Sequence, residues 1–128
     1  MSYKVTRANE SVPYEAKGHF DVRTTRLHNP EEVNDGMCVL GLSHFLPGGG
    51  AGMAPANFEL IYYIVEGEMT VEMDDGQKYC LKKGDSVHMG KGTGRSSLNT
   101  GITSSQMLVI MIKPKAEVYP PRPNLFLT

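Results

Sequence analysis

An all-β fold, a sandwich or a barrel, is what this 128-residue sequence predicts. Short apolar runs recur at regular spacing from Met37 to Lys113, turn-forming residues separate them, and no stretch reads convincingly as a helix. Asp75-Gly76 lies between two alternating runs and predicts a tight hairpin, because glycine supplies the positive φ such turns need.

Residues 1–36 read as an N-terminal arm, in which Pro13, Gly18 and Pro30 interrupt any long element. Within it "HFDVRTTRL" (19–27) alternates loosely between apolar and polar residues and predicts one strand packed on the main body. "NPEEVNDG" (29–36) is turn-rich, with at most one helical turn at "PEEV". Residues 37–113 then supply strands at "MCVLGLSHFL", "ELIYYIVEG", "EMTVEM", "QKYCLKK", "SVHMG", "RSSLNT" and "QMLVIMIK". Turns are expected at Pro47-Gly48-Gly49-Gly50, Asp74-Asp75-Gly76 and Lys83-Gly84-Asp85. Residues 114–128 form a proline-rich tail whose Leu125, Phe126 and Leu127 are expected to pack on the chain's own body or on a second copy.

Composition excludes several classes of function. The formal charge is −1, from 13 basic and 14 acidic residues without a stripe of one sign, which argues against nucleic acid as a partner. No apolar run approaches the roughly 20 residues that span a bilayer, and the N-terminus lacks the apolar core of a secretory signal. Cys38 and Cys80 stand in neither metal nor redox spacing and are expected as reduced thiols packed in the interior. The expected location is the cytoplasm.

Two stretches carry a family resemblance. "GDSVHMGKGTGRSSLN" keeps the spacing G-x5-P-x-G-x2-H-x3-N, with Gly84, Gly92 and Asn99 matching, Gly90 in the proline place and Arg95 in the histidine place. "PGGGAGMAPANFELIYYIVEGEMTV" (47–71) has the outline of a motif ending H-x-H-x3-E-x6-G, with Ala54 and Ala56 in the histidine places and Leu60 in the glutamate place before Gly67. Together these resemble the two signature motifs of the cupin family over residues 37–113, which implies a jelly-roll β-barrel. "SHFLPGGG" with "VEGEMTV" is also similar to the ureidoglycine aminohydrolase branch of that family. Function does not follow from this fold, which hosts isomerases, dioxygenases, decarboxylases, hydrolases and sugar-binding modules.

The resemblance also implies a divalent metal, and the ligand places do not supply one. Alanine and leucine offer no donor and arginine carries a permanent positive charge, so no metal cofactor is expected. Glu59 neighbours the glutamate place, but strand alternation turns it out of the barrel unless a bulge intervenes. If a metal were bound, His19, His44, His88 and Glu59 would be the displaced ligands. His44 shares the parity of Leu40, Leu42 and Leu46, which fits either a core histidine or a pocket residue. His88 fits a pocket or an outward position equally.

Arg95 is the most informative residue: the resemblance places its guanidinium in the barrel, where it keeps positive charge in place of a metal, and either a structural ion pair, an outward-reaching side chain or an anionic ligand held bidentately satisfies it. Tyr62 shares the face of Leu60 and Ile64, the face the resemblance assigns to the pocket. His44, Tyr62 and His88 are therefore the candidate catalytic groups, and Arg95, Met53, Leu60 and Met111 the candidate substrate contacts. The expectation is a small-molecule protein with an anionic ligand, acting as a metal-independent isomerase, lyase or decarboxylase. Whether it is an enzyme is left open by the sequence, with a non-catalytic binding module and a metal-dependent enzyme with displaced ligands as alternatives. A homodimer is expected, because "MLVIMI" is apolar on both faces.

Overall fold

The structure is a computed structural model that describes residues 3–28 and 36–113. After a 3-10 turn at Ala8–Glu10, the chain forms β1 (Val12–Tyr14), β2 (His19–His28), β3 (Cys38–Pro55), β4 (Glu59–Glu66) and β5 (Glu68–Met73). It continues through β6 (Lys78–Lys82), β7 (Ser86–Met89), β8 (Gly94–Leu98) and β9 (Ser105–Ile112). The strands join in the order β6-β5-β8-β3-β9-β4-β7, with β2 on the free side of β3 and β1 on β2. This is the jelly-roll barrel the sequence predicts.

Strand alternation decides what the barrel encloses. On β4, Leu60, Tyr62 and Ile64 are buried while Ile61 and Tyr63 face outward. Register sets Leu60 between Met89 and Met111, and Ile64 opposite Met107, so apolar side chains from three strands meet in one layer. With Phe45, Met69 and Val71 they form the core.

The Pro47-Gly48-Gly49-Gly50 run is not a turn between strands but the interior of β3, which continues for 18 residues. Over Cys38–Phe45 this strand pairs with β9, and over Gly50–Pro55 with β8. It thus passes from one side of the barrel to the other at the glycines, where neighbouring backbones close in. A Cβ at Gly49 would lie 2.2 Å from the Asp21 carbonyl oxygen, and one at Gly50 would lie 2.0 Å from that of Ser97. Asn99 fastens the same corner: its Nδ2 donates to the carbonyls of Phe45 (3.2 Å) and Thr103 (2.9 Å), and its Oδ1 accepts from the Gly101 amide (3.0 Å). That agrees with the turn-supporting role the family motif implies for it.

One further expectation meets the structure differently. Cys80 is exposed rather than interior, because it lies on the outer side of the edge strand β6. Its thiol donates to Glu68 Oε2 at 2.9 Å, and this bond, aided by partial desolvation, raises its pKa. The short strand β1 was not legible in the sequence. The turn at "PEEV" and the apolar end of the tail lie outside the described residues.

A graded effect of glycine replacement checks the corner. Gly50→Ala is expected to cost about 3 kcal/mol, since backbone has to move to admit the methyl group. Gly76→Ala, at φ +87° with open space around it, is expected to cost about 1 kcal/mol. Equal midpoints for the two variants in urea unfolding would contradict the close approach.

Candidate functional site

The barrel interior opens into a cavity of about 150 Å³. Leu60 and Tyr62 of β4, Arg95 and Ser97 of β8, and Ser43 of β3 line one part of it. Met107, Val109 and Met111 of β9 add an apolar wall. The arm closes the remaining side with Tyr14, His19 and Arg26. It is held there by pairing with β3, His19 opposite Ala51 and Arg26 opposite Gly41, and by the Gly52 amide donating to the Gly18 carbonyl at 3.0 Å.

Arg95 is fixed on two sides. Its Nε–H donates to the Tyr62 hydroxyl at 3.2 Å, and Nη1 donates to the Ala54 carbonyl at 2.9 Å. Ala54 is its register partner across β3 and β8, so the backbone at one of the motif's histidine places holds the side chain that stands in another. Arg26 stacks on the Tyr14 ring, 4.5 Å from guanidinium carbon to centroid, a favourable cation–π distance. Among the described residues neither guanidinium has a carboxylate within ion-pair distance. Both are half-buried.

Of the candidates read from sequence, Tyr62, Arg95, Leu60 and Met111 meet in this cavity, as does His19. Met53 is 51% exposed and stands apart from it. His44 points away from the cavity, into an outward groove with Arg23 and Leu46, because the inward parity on β3 belongs to Val39, Ser43 and Phe45. It is therefore neither a core histidine nor a residue of the barrel pocket. His88 lies on the outer surface, with Nε2 2.6 Å from Glu59 Oε2. Glu59 faces outward as alternation requires, so no bulge returns it to the barrel, and His19, His44 and His88 do not converge. Tyr14, Arg26, Ser43 and Ser97 were missed. Ser43 and Ser97 had a signal, sharing parity with Phe45 and Arg95; Tyr14 and Arg26 had none, because tertiary pairing alone brings the arm to the cavity.

A metal does not fit the donor set. Ala54, Ala56 and Leu60 provide no side-chain donor, and no group of three or more His, Cys, Asp or Glu side chains gathers among the described residues. Among those residues no helix is long and apolar enough to cross a membrane.

Comparison with known proteins agrees with this architecture. Residues 41–111 match the family described as Cupin domain. The chain is 38% identical over 115 residues to a protein of Mycobacterium tuberculosis named β-D-galactosidase, a match that spans 90% of this chain and 98% of that one. Among solved structures it resembles a Thermotoga maritima protein described as a predicted oxalate decarboxylase, with TM-score 0.73 and 24% identity over 86% of this chain and 99% of that one. It likewise resembles the polyketide cyclase RemF of Streptomyces resistomycificus, with TM-score 0.74 and 17% identity over 87% of this chain and 80% of that one. At these identities the structural likenesses speak for the fold.

Removing the Tyr62 hydroxyl tests the anchoring of Arg95. Tyr62→Phe is expected to fold and to lose about 1 kcal/mol in chemical denaturation, the usual net value of one such bond. An unchanged stability would show that the phenol does not hold the guanidinium.

Proposed function

The chain belongs to the cupin family, and from that premise we propose that it is a metal-independent enzyme acting on a small, polar, carboxylated metabolite held in the barrel by Arg95 and Arg26. The observation that carries this reading is the pair of half-buried guanidiniums facing one cavity without a carboxylate partner among the described residues. Leaving such charges uncompensated is unfavourable, and an anionic ligand relieves it. Of the five N–H donors of Arg95, two are engaged by Tyr62 and Ala54, so three remain for a carboxylate.

Two groups beside that anchor suit proton transfer. The Tyr62 hydroxyl accepts from Arg95 and keeps its own proton to donate. His19 Nδ1 lies 3.0 Å from the Lys17 carbonyl oxygen, which can only accept, so Nδ1 carries the proton and Nε2 of the neutral ring is left as a base. A base and an acid at one cavity fit an isomerase, a lyase or a decarboxylase. His44 lines a different, outward groove and His88 pairs with Glu59 on the surface, so neither has a part in the proposed step.

A second reading, glycoside hydrolysis, is favoured by the identity to the β-D-galactosidase over nearly its whole length. Among the described residues no carboxylate lines the barrel cavity, but Glu15 and Asp21 line an adjoining cavity of about 370 Å³ that shares Tyr14, Ala16 and His19 with it. Release of 4-nitrophenol from 4-nitrophenyl β-D-galactoside, above a Glu15→Gln control, would favour this reading; the absence of release would remove it.

We also propose a homodimer through the outer face of β3, β9 and β4. Register lines up Leu42, Leu108 and Tyr63 in one row and Leu40, Ile110 and Ile61 in the next, a continuous apolar strip that a second copy would cover. Light scattering at micromolar concentration is expected to give twice the chain mass, and a monomer would refute the dimer.

For the site itself, small carboxylates are expected to raise the melting temperature, with about 2.7 kcal/mol added at a hundred times the dissociation constant. Arg95→Gln and Arg26→Gln should each weaken that binding about tenfold or more, as expected for loss of a charge-assisted bond. Neutral molecules binding as well as acids, with both variants unaffected, would overturn the reading. Binding without turnover across the acids tested would reduce the protein to a binding module.

A further inference from the structure

We infer that the barrel cavity selects polyhydroxylated carboxylates, molecules of the sugar-acid class, and that Ser43 and Ser97 are the residues that read their hydroxyls. The inference rests on the arginine-held anion proposed above and adds what the remainder of that ligand is.

The observation is a contrast among the buried hydroxyls. Thr24, Thr25, Ser43, Ser97 and Ser105 are all at most 5% exposed. Thr24 donates to the Tyr14 carbonyl, Thr25 to the Leu42 carbonyl at 2.9 Å, and Ser105 to Met69 Sδ at 3.0 Å. Among the described residues Ser43 and Ser97 have no side-chain hydrogen-bond partner, and these are the two of the five that line the barrel cavity. Neither hydroxyl is among the fully enclosed atoms that lack a partner, so both are open to the cavity and can pair with a molecule that enters it.

Placement makes that partner a single molecule. Ser97 follows Arg95 by two residues on the same face of β8, a separation of roughly 7 Å along the strand. Ser43 reaches the same space from β3, and Arg26 from the arm. A carboxylate on the guanidiniums therefore places carbons further along the molecule beside the two serines, each of which can donate to and accept from an alcohol. The apolar wall of Met107, Val109 and Met111 suits the C–H face of such a molecule. The volume of about 150 Å³ equals on the order of five waters of liquid, which fits a small acid that extends towards the adjoining cavity. A site that pairs with substrate hydroxyls also disfavours the analogue lacking them, because the analogue displaces water from the serines without replacing its hydrogen bonds.

The test compares three probes on the full chain by isothermal titration calorimetry: D-galacturonate, pentanoate with the same charge and no hydroxyl, and neutral D-galactose. D-galacturonate is expected to bind at least about tenfold tighter than either of the others, as one to two net hydrogen bonds to a buried site allow. Ser43→Ala and Ser97→Ala should each cut D-galacturonate affinity about fivefold to tenfold and leave pentanoate within about twofold. Melting curves without ligand check that both variants fold. If the two acids bind alike, or the serine variants weaken both equally, the inference fails while the arginine-held anion stands. If neither acid binds, both fail together.

Discussion

Arg95 brings a permanent charge into the mouth of an apolar barrel, and much of the site is arranged around that fact. Its guanidinium cannot discharge by losing a proton, so the surrounding groups must solvate it. Tyr62 and the Ala54 carbonyl do so on two edges, which fixes the direction in which the remaining N–H groups point. The same contacts orient the tyrosine hydroxyl, so the anchor proposed for an anion and the proton donor proposed beside it are set by one interaction. A carboxylate placed there would have completed an internal ion pair and closed the site to ligands. None is present among the described residues, and that keeps the charge available.

Backbone geometry is the second constraint. The barrel closes because β3 serves both sides, and it can do so because its glycines admit the backbones of β2 and β8 at distances that no side chain allows. This close approach also carries the arm across the cavity. His19 and Phe20 lie against Ala51 and Gly50, and from there β2 runs on to set Arg26 beside the barrel interior. The stack of Arg26 on Tyr14 ties β1 to the same wall. A second positive group thus reaches the site from residues far from the motifs that define the barrel.

How much of this could be read from the sequence depends on the kind of signal involved. Motif spacing located Arg95 and Asn99, and alternation from Leu60 located Tyr62 and turned Glu59 outward. Alternation failed at His44, because β3 is lined with leucines on its outer face, and an apolar partner set does not say which side is inside. The glycine run misled for a related reason: glycine marks a turn and a tight strand crossing with the same letters, and only the neighbouring backbones distinguish them. Cys80 was placed inside by composition, whereas its edge strand leaves it facing out, bonded to Glu68. Tyr14 and Arg26 depend on long-range pairing and had no local signature at all.

The proposed function turns on positive charge at a place where the family motif puts a metal ligand, with a preference for anions and proton transfer by side chains as its consequences. Metal content of protein grown in metal-supplemented medium and dialysed without chelator, read by plasma mass spectrometry, tests this most directly. The account predicts zinc, iron, manganese and nickel each far below one equivalent per chain. A near-stoichiometric amount of any one of them would contradict it and move the chemistry away from Arg95.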